Sequence, residues 1–171
     1  MKKKVLLFFT ALLVILTFVG FNSENAKAAS WGATQVFTTP KRTRGTWYCK
    51  EDGKVKKFRI ATHAVDNVKL YNILTGKAGE KWNAKFDAAN EKANFKLEDT
   101  VSTSQLQAYT FKYGDITGFN ANGWLAGAGN GCYYVPVKKN VKGKKVNALR
   151  LGTGAKNYFL CYAYKNKKLA K

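Results

Sequence analysis

The side chains able to do nucleophilic chemistry are few and scattered: three cysteines, Cys49, Cys132 and Cys161, and a single histidine, His63. A thiol becomes an effective nucleophile when a neighbouring base takes its proton, so a Cys–His pair is the formal possibility. Neither His63 nor any cysteine carries the flanking signature of a cysteine-nucleophile family. His63 follows a predicted strand ending at Ala61-Thr62 and reads as a solvated turn residue. Glu98-Asp99 reads as a strand end, not a paired-carboxylate centre, and no His/Cys/Asp/Glu spacing matches a metal site. The expectation is a protein that binds rather than catalyses, with no metal and no cofactor.

What the chain has in abundance is ammonium. Lys+Arg number 30 against 10 Asp+Glu, a formal net charge of +20. The hydrophobic fraction of 46% and aromatic fraction of 14% exclude a disordered polycation, whose low apolar content could not offset the entropy of folding. The charge is also segregated, with 11 Lys+Arg and no acid at all from Ile116 to Lys171. Lys138, Lys139, Lys142, Lys144 and Lys145 crowd one expected hairpin tip, and Lys165, Lys167 and Lys168 lie near the C-terminus. These eight lysines are the candidate polyanion-binding residues. Large net charge by itself confers solubility, but segregation over a third of the chain favours attraction to an anionic partner.

The N-terminus indicates where that partner would be met. Met1-Lys2-Lys3-Lys4 precedes an apolar run over residues 5–21, and Ala26-Lys27-Ala28 offers small residues at a cleavage step, the layout of a secretory signal over residues 1–28. An uncleaved membrane anchor is the alternative, since a run of 17 residues touches the lower limit for a span, though Thr10, Thr17 and Gly20 weaken it. Cleavage after Ala28 leaves 26 basic and 9 acidic residues, net +17, so the charge belongs to the exported protein. The expected partners are an anionic cell-wall polymer such as teichoic acid, or an anionic membrane surface. Nucleic acid ranks third, because the alternation of the tyrosines is already explained by core packing. Residues 29–41 read as an irregular lead-in and 42–171 as one domain, expected to be a monomer.

The elements that must position these groups are strands. Residues 45–50 and 54–62 flank Glu51-Asp52-Gly53, whose Asp-Gly step is a strong hairpin signal. Residues 65–74 follow, then 106–113 with Gln107, Tyr109, Phe111 and Tyr113 on one face, then 123–126, 132–138, 145–151 and 157–164. Trp82, Ala84, Phe86 and Ala88 alternate with polar residues, as do Ala93, Phe95 and Leu97, which predicts a further hairpin turning at residues 89–92. A helix carrying Trp82, Phe86, Ala89 and Ala93 on one stripe competes with it. The fold expected is all-β, an antiparallel up-and-down meander closed into a small barrel, with a two-sheet sandwich as the alternative. The Gly-rich steps at residues 125–129 and 151–154 read as tight turns, since no Lys-Ser/Thr follows and no helix opens after them.

Two resemblances attach to these residues. Thr39-Pro40-Lys41-Arg42-Thr43-Arg44-Gly45-Thr46-Trp47-Tyr48, with Gly123-Trp124-Leu125, Gly129-Asn130-Gly131-Cys132-Tyr133-Tyr134 and Tyr164-Lys165-Asn166-Lys167-Lys168-Leu169, is similar to small secreted proteins of lactobacilli and relatives. That resemblance implies a secreted or surface protein and no activity. More narrowly, Gly45-Thr46-Trp47 resembles the first-strand Gly-x-Trp box of lipocalins. It implies that Trp47 closes a barrel floor with a late arginine stacked on it, and that the interior carries a small apolar ligand. Arg150 is the only late arginine; it lies on the penultimate expected strand, and the family's other boxes and C-terminal helix are not evident.

Export would place the thiols where disulfides persist. Three cysteines allow one intramolecular bridge in three pairings. Three buried reduced thiols are the first expectation; if a bridge forms, a closed barrel makes first and last strands neighbours, which favours Cys49 with Cys161.

Overall fold

A computed structural model describes residues 35–91, 105–124, 126 and 130–170. The expected signal segment lies outside them. Nine strands hydrogen-bond in chain order and the ninth returns to the first, closing a ring. They are β1 Gly45–Glu51, β2 Lys54–Ile60, β3 Ala64–Val65, β4 Val68–Asn72, β5 Gln105–Tyr113, β6 Ile116–Asn122, β7 Cys132–Val141, β8 Lys144–Thr153 and β9 Tyr158–Tyr164. Closure leaves no open sheet edge, and a two-sheet sandwich is set aside.

The hairpins follow from turn chemistry. Asp52 and Gly53 have φ of 48° and 77°, and Lys142 and Gly143 have 49° and 77°. Two successive left-handed residues make the turn whose twist matches antiparallel strands. The second hairpin is the longer, with β7 and β8 paired from Cys132↔Thr153 to Val141↔Lys144. The expected single strand at 65–74 is two strands, β3 and β4. The chain reverses between them at Asp66, with φ of 51°, whose Oδ1 accepts a 2.7 Å bond from the Arg59 amide.

Three further expectations are corrected. Residues 76–91 form a helix, α1 (Gly76–Glu91), where the first strand of a hairpin was expected. Trp82 and Phe86 stand four apart, a spacing that shares a face in a strand and in a helix alike. Ala, Lys and Glu around them favour the helix, and the two rings stack at 5.3 Å, an i,i+4 pair. The second expected strand, 93–99, falls outside the described residues. The meander is also not antiparallel throughout: β4 and β5 run parallel, Lys69↔Gln105 through Asn72↔Ala108. A parallel pair needs a long crossover, and α1 lies in that connection. Finally, the strand expected at 123–126 is instead β6, just before it.

The core sits inside the ring. Trp47, Cys49, Ile60, Leu70, Leu106, Ala108, Phe119, Ala121, Cys132, Tyr134, Leu149, Leu151 and Ala163 are buried together there. The lead-in contributes to this core. Phe37 joins the core at 5% exposure, its amide bonded to Leu70 O at 3.0 Å, and Thr39 Oγ1 donates to Ala61 O at 2.8 Å.

Candidate functional site

The ring closes at Trp47. Its indole is 1% exposed, and Nε1 donates to Thr43 O at 2.7 Å, so burial leaves no unpaired donor. Tyr48 pairs with Tyr164 across β1 and β9, which sets Lys165 beside Trp47. The Lys165 ammonium lies 4.4 Å from the indole centroid and donates to Arg44 O at 2.6 Å. A Cβ at residue 45 would collide with that ammonium, so the glycine of the Gly-x-Trp box is room for a cation. Burial against the indole holds the Lys165 pKa below the usual lysine value. The cation over Trp47 is therefore Lys165, and Arg150 lies elsewhere. Leu149 and Leu151 occupy the inward face of β8, and strand alternation turns Arg150 outward.

Arg150 instead organises the outer face. It donates to Asn157 Oδ1 at 2.7 Å and to Asn157 O at 2.8 Å. So held, its guanidinium carbon lies 4.9 Å from the Tyr113 centroid and 5.6 Å from that of Phe159. Phe159 meets Tyr162 at 4.8 Å, and Lys139 Nζ lies 4.3 Å over Tyr162. A chain of rings and cations thus crosses β5, β8, β9 and β7. The register shift between Leu151 and Gly152 makes it possible. By simple alternation from Cys161, Phe159 would point inward; the bulge pairs it with Gly152, on the Arg150 side, and turns Leu160 toward the core.

The lysine hairpin extends from this face. Lys138, Lys142, Lys144 and Lys145 are exposed on β7, β8 and the turn between them, while Lys139 is half-buried against Tyr162. Lys167 and Lys168 are exposed on a 3-10 turn, Lys167–Leu169, capped by Asn166 Oδ1 accepting from the Lys168 amide at 2.9 Å. Of the eight candidate lysines, Lys165 is committed to Trp47 and Arg44, and Lys139 to Tyr162. The other six keep exposed side chains on the surface.

The interior is packed with rings in contact. Phe119 stacks on Tyr134 at 4.7 Å, Phe37 meets Phe119 at 5.7 Å and Phe58 meets Tyr134 at 6.2 Å. The thiols lie in the same cluster. Cys49 and Cys161 share a hydrogen bond that holds Cys49 below the usual thiol value and pushes Cys161 above it. Burial pushes Cys132 up to about 12, the opposite of what a nucleophile needs. His63 is at the surface, with Nδ1 3.0 Å from Phe37 O, where it ties the lead-in to the ring. Among the described residues, no group of His, Cys, Asp and Glu could hold a metal ion.

The residues missed in the sequence are Tyr113, Asn157, Phe159 and Tyr162. The shared face of Gln107, Tyr109, Phe111 and Tyr113 was legible, but it is the outer one, since Leu106 and Ala108 fill the core. Phe111 lies across Gly118, where a Cβ would come within 3.1 Å of its ring, and meets Tyr133 at 5.3 Å. Core packing therefore does not account for these tyrosines. Comparison with protein-family models, curated proteins and solved structures gives no match to this chain.

Proposed function

We propose that this is an exported, non-catalytic protein held at the cell envelope by attraction between its basic surface and an anionic polymer or headgroup layer. The observation that carries the proposal is the acid-free stretch from Ile116 onward, which supplies β6 to β9 and sets exposed Lys138, Lys142, Lys144, Lys145, Lys167 and Lys168 around them. With no carboxylate in that stretch, these cations have no local partner in sequence to neutralise them. A ten-pair β-ladder beneath the hairpin holds its lysines in a fixed array, which reduces the ordering cost of multivalent contact.

Support also comes from what the interior contains. A carried apolar ligand would have to displace rings that already pack on one another, which favours the outer surface over the interior as the working part. Among the described residues, no helix is long and apolar enough to cross a membrane, and the tether proposed needs none. The test is equilibrium binding to long-chain polyphosphate and to purified teichoic acid as salt is raised. Counterion release predicts affinity falling steeply and linearly on logarithmic axes. Affinity independent of salt would overturn the proposal.

A further inference from the structure

Resting on that reading, we infer that the aromatic and cationic array on the outer face is a docking surface for an anionic lipid bilayer, with Tyr113 and Phe159 entering the headgroup region. Among the described residues the exposed large hydrophobics are Val36, Ile73, Tyr113, Tyr158 and Phe159. Two of the five, Tyr113 at 42% and Phe159 at 52%, meet here at Arg150. Scattered exposed apolar groups are ordinary; a cluster rimmed by cations marks an interaction site.

The chemistry of the cluster selects its occupant. A soluble polyphosphate would use Arg150 and Lys139 and gain nothing from Phe159. A single-stranded nucleic acid needs ring faces open for stacking. Here Arg150 lies over both Tyr113 and Phe159, Lys139 lies over Tyr162, and Phe159 is inclined 49° to Tyr162, so no parallel platform is presented. Tyr and Phe edges beside Lys and Arg suit the boundary between headgroups and acyl chains, where amphipathic rings partition and cations meet anionic lipid. Lys139 joins the patch to the lysine hairpin, so both could face one surface.

The test uses the exported protein eluted from cells, sedimented with vesicles of phosphatidylcholine alone or mixed with phosphatidylglycerol. Wild type should bind the mixed vesicles and not the neutral ones. Tyr113→Ser with Phe159→Ser should weaken vesicle binding about tenfold or more, since apolar area is lost, while polyphosphate binding stays at the wild-type level. In a separate variant, Phe159→Trp, emission should shift to the blue on adding mixed vesicles; this needs no destabilising change. Vesicle binding by the double variant equal to wild type, or no spectral shift, overturns the docking surface. Binding of polyphosphate without vesicle binding also overturns it and leaves the electrostatic tether standing. Binding of neither would overturn both.

Discussion

Lys165 lies over the indole of Trp47, 4.4 Å from its centroid, and joins the last strand to the first at the point where the ring closes. Two residues far apart in sequence thus share the closure, and Gly45 leaves the space for it. Trp47→Ala should cost about 3–5 kcal/mol, the usual penalty for emptying an aromatic core site. Lys165→Met should cost about 0.5–2 kcal/mol, the range of a cation–π contact. Denaturant melts of both variants check the order.

Gly45→Ala tests the same closure from the other side. The backbone there has φ of +119°, which an L-residue adopts poorly, and the new methyl would strike the Lys165 ammonium. The expected cost is about 1–3 kcal/mol. Combining it with Lys165→Ala should cost less than the two single changes added together, because the collision is removed while the backbone strain remains. Full additivity in the double-mutant cycle would place Lys165 away from residue 45.

Stability should fall in alkali. Cys132 has a folded pKa of about 12 against an ordinary value of 9.0, and Tyr134 beside it is likewise raised by burial. Both are neutral acids favoured by the fold, so their contribution is complete below the ordinary thiol value and is lost as pH rises toward the folded values. One such group gives a slope of about 1.4 kcal/mol per pH unit. Urea melts at pH values from about 9 to about 12, the span between the two thiol values, should show the decline, and Cys132→Ala should make it shallower. A flat profile would mean that Cys132 is solvated.

The thiol contacts predict one disulfide pairing. Cys49 and Cys161 are hydrogen-bonded across the β1–β9 seam, and all three thiols are free in the structure. Mild oxidation should link Cys49 to Cys161 and leave Cys132 unmodified. Non-reducing peptide mapping decides it, and a bridge containing Cys132 contradicts the seam.

How far the sequence reveals this fold depends on where its signals are local. The Asp52-Gly53 hairpin and the neighbouring first and last strands were legible because turn chemistry and closure leave a mark in a single sequence. Residues 82–88 were not, because Trp82 and Phe86 lie on one face at either period and only tertiary contact with Trp124, at 5.5 Å from Trp82, accompanies the helix. β6 was hidden by its composition. Asn120 and Asn122 are poor strand formers, yet both are buried there, with Asn122 Nδ2 donating to Asn120 Oδ1 at 3.0 Å and Asn120 Nδ2 to Asn130 O at 3.1 Å. The basic surface was visible as charge, whereas its aromatic half depends on a bulge and a register that no short window contains. Lys165 lies over Trp47, a contact that only the β1–β9 pairing discloses.

If charge holds the protein at the cell envelope, a salt wash of intact cells will release it. Exposed charges are screened beyond about 8 Å at physiological salt and about 3 Å near 1 M. Wild type should remain with cells in low salt and elute near 1 M, about where screening reaches contact distance. Replacing Lys138, Lys142, Lys144, Lys145 and Lys167 together by Gln should leave the fold intact, since exposed charges contribute little stability, and should release the protein into the medium in low salt. Wild type that resists concentrated salt, or a variant that stays cell-bound in low salt, would rule out a charge-held tether.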